Sequence, residues 1–470
     1  MEVSWKGVRG GGLSVNFDKV IWGLVWRLRY NLALISLSVY EHAPLAFITQ
    51  YMMLDFFALN HGGSNCQEVP NSAACRKASS DSAMYYGVAG GVSSLTSWYM
   101  ALALGAYSDN VGRRTCFRVK AWFALLPPLC LAANVFLGAS FWPILIIRPL
   151  LGIFDTNGVM LACTNDVVTN PKERAPAVAV TIGGSVVAMA FVMPFAALMP
   201  LNALVVLASI ASVMKLVFLQ CLFPETAVTK ADPQFLWDAV TAPFALMTIL
   251  TRNSVIFRMA AVVVFSGLAQ AGLITIAGPY VMGYLGLTRA DFLPLALTCV
   301  PAGVFAYAFL LRPFIAHAGE VRALQLCLCF TATFPLLITV CDSIPNLIVL
   351  LGFSVGPLTL LSPVISGIKA SLVAEDEQGI MQGALTAATN LASGLCDMFF
   401  GWFYAYATAG GSIKQRSAAF PPFVLSGVLG ACAFMIACFL PLQLPPPPPS
   451  RAKEQMLLKQ ALLNSDITGA

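Results

Sequence analysis

The chain has 470 residues, of which 58% are hydrophobic and only 10% charged, with a formal net charge of +5. Soluble domains carry about 25% charged residues, so this composition excludes an ordinary soluble protein and describes an integral membrane protein. The surplus of positive charge is then an orientation signal, not evidence for nucleic acid.

A helix needs about 20 apolar residues to cross a bilayer. Apolar runs predict spans near 32–57, 84–107, 118–138, 142–164, 177–200, 203–223, 257–282, 292–315, 322–341, 345–367, 382–407 and 420–441. The runs are continuous rather than alternating, which excludes a β-barrel. The predicted fold class is an all-α polytopic membrane protein, twelve transmembrane helices in two six-helix bundles. Residues 1–30 form an N-terminal segment, 31–223 the first bundle, 224–256 a central linker, 257–441 the second bundle and 442–470 a proline-rich tail. With both termini cytoplasmic, most lysines and arginines fall on that side. Arg76, Lys77, Arg289, Lys414 and Arg416 fall opposite, and Arg148 and Lys215 lie inside spans. The first 30 residues are polar and basic and run into a full-length span, which therefore reads as an anchor and not a cleavable signal.

Ionisable groups inside a bilayer cost several kcal/mol unless paired or facing water, so each is a functional candidate. Span one carries Glu41 and His42, flanked by Tyr40 and Gln50. The loop after it holds Cys66 and Cys75 among Asn, Ser and Gly, either as a disulfide or as two free thiols. Most other cysteines sit in spans, where they act as small apolar residues. Between spans two and three runs Gly105-Ala106-Tyr107-Ser108-Asp109-Asn110-Val111-Gly112-Arg113-Arg114. Its glycines let two helix ends approach, and its charges can latch them to a neighbouring helix.

Span four carries Arg148, Asp155 and Asn157. Arg148 and Asp155 are nearly two helical turns apart, about 10 Å along one face. The same span ends in a polar turn from Asp166 to Arg174. Span six holds Lys215 and span eleven Asp397, both read as structural. Gln270 in span seven and Ser354 in span ten are polar candidates on cavity helices. The linker run Phe235–Val240 is either a helix on the membrane surface or a plain connection. Pro445 to Pro449 form a stiff spacer or a recognition segment.

Several of these motifs resemble, in order and spacing, those of the major facilitator superfamily. The Gly105–Arg114 loop resembles its signature loop, and Arg148-Pro149-Leu150-Leu151-Gly152 its arginine-to-glycine motif in helix four. Asp166 through Arg174, Phe223-Pro224-Glu225-Thr226, and the Gln378-Gly379 and Gln382-Gly383 turn match further landmarks. The resemblance covers roughly 31–441 and is closest to the group of tetracycline/proton antiporters, hippocampus-abundant-transcript-like carriers and proton-coupled folate transporters. Departures are plain. The loop from Arg312 to Arg322 keeps only Gly319-Glu320 of the second signature, and the antiporter motif reduces to Gly183-Gly184. Span five has no carboxylate and span seven no histidine, so folate chemistry is not supported.

The resemblance implies secondary transport by alternating access, with helices one, four, seven and ten around a midplane site. Glu41, Arg148, Asp155, Tyr40, Asn157 and Gln270 are then the substrate and coupling residues. Gly105, Asp109, Gly112, Arg113, Arg114, Asp166 and Arg174 form the gate. The expected partners are a small organic solute, a proton as coupling ion and the lipid bilayer, with no cofactor, metal or nucleic acid. An uncoupled facilitative carrier, or a receptor that keeps the fold without transport, are the alternatives. An enzyme is disfavoured by the absence of H-E-x-x-H, G-x-S-x-G and P-loop motifs.

Overall fold

The computed structural model describes residues 22–442 apart from 64–65, 67–68, 70–71, 169–170, 227–244, 289–290, 374–377 and 410–416. All regular structure among the described residues is helical. The first half comprises α1 (Arg29–Asn60), α2 (Ala73–Val111), α3 (Arg113–Ala124 continued by Leu126–Leu137), α4 (Trp142–Leu150 and Asn157–Val167), α5 (Pro171–Leu198) and α6 (Leu201–Cys221). The second comprises α7 (Ser254–Tyr284), α8 (Phe292–Phe305 and Leu311–Ala318), α9 (Glu320–Val340), α10 (Ile344–Leu372), α11 (Gln378–Thr408) and α12 (Phe420–Cys438). The linker run Phe235–Val240 and the proline tail lie outside the described residues.

Among the described residues, nine helices are long and apolar enough to cross a membrane, and α2, α8 and α11 are not among them. Each exception has a physical reason. α8 is interrupted by a π-turn over Ala306–Leu310, between Pro301 and Pro313. α2 and α11 carry more polar residues because they pack chiefly on each other. Their contact runs on glycine. A Cβ at Gly87 would come within 2.7 Å of the Gly401 Cα, and one at Gly394 within 3.1 Å of the Gly91 carbonyl oxygen. Only bare backbone permits that approach between membrane helices. α2 also begins well before the predicted residue 84, because Ser72 caps it by accepting a bond from the Cys75 amide at 3.1 Å.

α4 bends where the sequence demands it. Pro149 removes a donor, and the chain passes through a 3-10 turn at Leu151–Phe154 before an extended Asp155. Gly152 in that turn lies on Ser93 of α2, and Ser97 Oγ donates to the Gly152 carbonyl at 3.0 Å. The bend lets α4 dock its backbone on α2, which explains the glycine of the Arg148–Gly152 motif.

The core is distributed unevenly along the helices. At the end carrying Cys66 and Cys75, one apolar cluster runs through both bundles, joining Ile48, Met53, Phe141 and Leu204 to Ile276, Tyr280, Phe400 and Phe423. At the opposite end, which carries Gly112, the clusters are separate. Leu34, Phe117, Cys163 and Phe223 belong to the first bundle alone, and Met259, Leu324, Leu361 and Leu385 to the second alone. The bundles are sealed together at the disulfide end and packed independently at the Gly112 end.

Candidate functional site

The polar interior of the first bundle is organised by one ion pair. Glu41 on α1 accepts a hydrogen bond from Lys215 Nζ on α6, and the two side chains are 1% and 4% exposed. His42 Nδ1 lies 3.8 Å from the same carboxylate, with its side chain 55% exposed. Lys120 on α3 is within electrostatic reach of Asp155, Lys215 and Glu41. The cluster therefore joins α1, α3, α4 and α6. Glu41 pairs with Lys215, a residue the sequence reading took as structural. Lys120 escaped the sequence reading because it sits near a predicted span end, where lysines usually flank the membrane.

Arg148 and Asp155 do not share a helical face, contrary to the spacing argument, because α4 is broken between them. The Asp155 carboxylate turns back on its own chain and accepts a bond from the Asn157 amide at 3.1 Å, starting the second segment of α4. Arg148 instead lies with its guanidinium carbon 5.6 Å from the Tyr86 ring centroid. The Tyr86 hydroxyl is buried between the Arg148 and Gln50 side chains, both of which act on it. Gln50 of α1 lies within 3.3 Å of where a Cβ on Gly278 of α7 would stand. Arg148, Tyr86 and Gln50 thus belong to the sealed half, and Gln50 reaches the second bundle. Tyr40 and Gln270 are half-buried, Asn157 exposed and Ser354 buried.

The signature loop is held within the first bundle. Gly112 separates α2 from α3 with φ at 106°, and a Cβ there would meet the Glu225 carboxylate. That carboxylate accepts bonds from the Arg113 amide at 2.8 Å and the Arg114 amide at 3.2 Å. It thereby fills the anion site at the start of α3. Arg113 Nε donates to Asp166 Oδ2 at 3.0 Å, and its Nη1 to Ser108 Oγ at 2.5 Å. Arg114 and Arg118 cap the other partner, donating to the Leu219 and Gln220 carbonyls that end α6. The loop thus ties the ends of α2, α3, α4 and α6 together. Gly105 and Asp109 on the last turns of α2, and Arg174 on the first turn of α5, have side chains outside the described residues. Glu225 was legible as part of a motif but not as the cap of a helix more than a hundred residues earlier.

At the opposite end a disulfide joins Cys66, in the loop after α1, to Cys75 in the first turn of α2. His61 Nε2 and Asp81 Oδ2 lie 2.7 Å apart beside it. Asp397 on α11 is 8% exposed and accepts a bond from Thr275 Oγ1 at 2.9 Å.

No family model matches the chain. It is 25% identical over 383 residues to bovine hippocampus abundant transcript-like protein 1, covering 76% of this chain and 73% of the relative. The structure is similar to that of the human organic anion transporter MFSD10 (TETRAN), with a TM-score of 0.58 and 19% identity over 89% of this chain and 99% of that one. It is also similar to the nucleoside transporter NupG, with a TM-score of 0.59 and 14% identity over 87% of this chain and 99% of that one.

Proposed function

We propose that this chain, a polytopic membrane protein with the major facilitator fold, is a secondary active transporter that carries a small organic solute by alternating access with proton coupling. The observation that carries the reading is the divided core. The bundles share one apolar cluster at the disulfide end and keep separate ones at the Gly112 end. Two rigid bundles sealed at one end can rock so that the seal passes to the other, exposing a midplane site alternately. With both termini cytoplasmic, the described state opens toward the cytoplasm.

In this reading Glu41, Arg148, Asp155, Tyr40, Asn157 and Gln270 hold the solute or couple it. The solute class favoured is an amphipathic organic anion. Arg148 places a planar guanidinium against the Tyr86 ring and hydroxyl, with Gln50 beside them, and a fork of that kind suits a carboxylate or sulfonate. One similar structure is that of an organic anion transporter. The Gly105–Arg114 loop with Asp166 and Arg174 is the gate, and Asp109→Asn is expected to abolish transport without loss of expression.

The test is proton movement in proteoliposomes, read with a trapped pH dye while organic anions, organic cations and neutral amphiphiles are added. A pH change triggered by anions supports the reading. Anion uptake without a pH change leaves a facilitative carrier. Neither signal from folded protein overturns transport of this class.

A further inference from the structure

Asp397 is the buried carboxylate for which the Glu41 cluster has no use. It lies on α11 at the contact with α2, the principal seam between the bundles. Its Oδ2 stands 3.1 Å from where a Cβ on Gly90 would be, and Gly87 lies against its backbone. Its hydrogen-bond partners are hydroxyls. Thr275 of α7 donates at 2.9 Å, and Ser94 of α2 bonds to it from across the seam. No charged side chain among the described residues acts on it. On α11 its titratable neighbour is Cys396. On α7 the nearest are Tyr280 and Tyr284, toward the disulfide end; on α2 Tyr86, with the Arg148 guanidinium over its ring, stands one turn before Gly90, and the charged Arg76, Lys77 and Asp81 lie at least about two and a half turns away. Lys369 of α10 sits near the Gly112 end.

This differs in kind from Glu41. A carboxylate paired with a lysine forms a neutral unit and tolerates burial without a proton. A lone carboxylate shut away from water among hydroxyls and glycines carries an uncompensated charge that costs several kcal/mol. A proton cancels it. In the described arrangement, closed at the disulfide end, the glycine seam buries Asp397; parting α2 from α11 there would bare the group to water.

We propose that Asp397 is the proton-binding carboxylate of the cycle, and that its protonation sets the closure of the α2–α11 seam. With a proton on Asp397 the seam closes. When the proton leaves to water, the carboxylate is stable only in the open, hydrated seam. As a coupling mechanism this rests on the transporter reading, but the proton-linked closure is measurable without any solute.

The experiment uses the full chain in lipid nanodiscs, with spin labels carried by non-natural amino acids in place of Leu137 at the end of α3 and Val340 at the end of α9. Both positions are exposed at the disulfide end, 82% and 71%. Their separation is followed by electron paramagnetic resonance across a pH series. In the otherwise unchanged chain the longer-distance population grows as pH rises. Asp397→Asn, a permanent mimic of the protonated acid, holds the short distance at every pH. A full response in Asp397→Asn overturns the proposal. Should that variant misfold, labelling of the unsubstituted chain by a hydrophobic carbodiimide, mapped by peptide mass spectrometry, decides instead. Modification of Asp397 at low pH that fades as the long-distance population appears supports the proposal, and none at any pH overturns it. A closed-seam response without solute flux would sink the transporter reading and leave the proton switch standing.

Discussion

Glu41 on α1 and Lys215 on α6 form an ion pair with side chains 1% and 4% exposed, so neither charge has water to fall back on. Removing one partner leaves the other bare. Lys215→Met is therefore expected to destabilise the protein by about 3–5 kcal/mol, and the double variant Glu41→Gln with Lys215→Met to recover most of that loss. Thermal unfolding of both single variants and the double variant gives the coupling energy. Additive losses would mean that the pair does not interact.

Gly112 is the hinge between α2 and α3, at φ 106° with the Glu225 carboxylate where a side chain would go. Gly112→Ala combines a left-handed backbone with that collision and is expected to cost about 1–3 kcal/mol. Glu225→Gln keeps the space but removes the negative charge from the start of α3, a loss of about 1 kcal/mol. Melting temperatures ordered Gly112→Ala below Glu225→Gln below the parent chain would agree, and an unchanged Gly112→Ala would contradict the cap.

The seam at Gly87 is tighter still, since its Cβ position falls 2.7 Å from the Gly401 Cα. There is no flexible side chain to yield there, so Gly87→Ala must push α2 from α11. The expected result is a longer Leu137–Val340 distance at every pH, because the wedge acts on packing and not on a proton. A distance equal to that of the parent chain would show that the seam relaxes by other means.

Arg148 tests the solute class. Arg148→Lys keeps the charge but loses the planar fork, and is expected to weaken binding of an organic anion roughly tenfold, or about 1.4 kcal/mol. Arg148→Met should weaken it further, and neither change should alter binding of a neutral amphiphile. Calorimetric titration with a transported anion measures both. Equal losses for anion and neutral solute would place Arg148 in a purely structural role.

Much of this protein was legible in the chain as written. Apolar runs of bilayer length marked the helices because membrane thickness dictates their extent. The Gly112-Arg113-Arg114 turn announced a tight, charged joint because few other residues can make one. Where the sequence reading failed, it failed on relations between distant segments. Arg148 and Asp155 were aligned on one face until the proline and glycine between them broke α4, and Glu41 met Lys215 across 174 positions. Asp397 was visible as an ionisable group inside a span but read as structural. Local composition determines that a segment enters the membrane, since each residue's transfer free energy is largely its own. Whether a buried charge is neutralised by a lysine, a proton or water depends on what the opposite helix presents at that depth, and only the packing of α2 on α11 and α1 on α6 decided that.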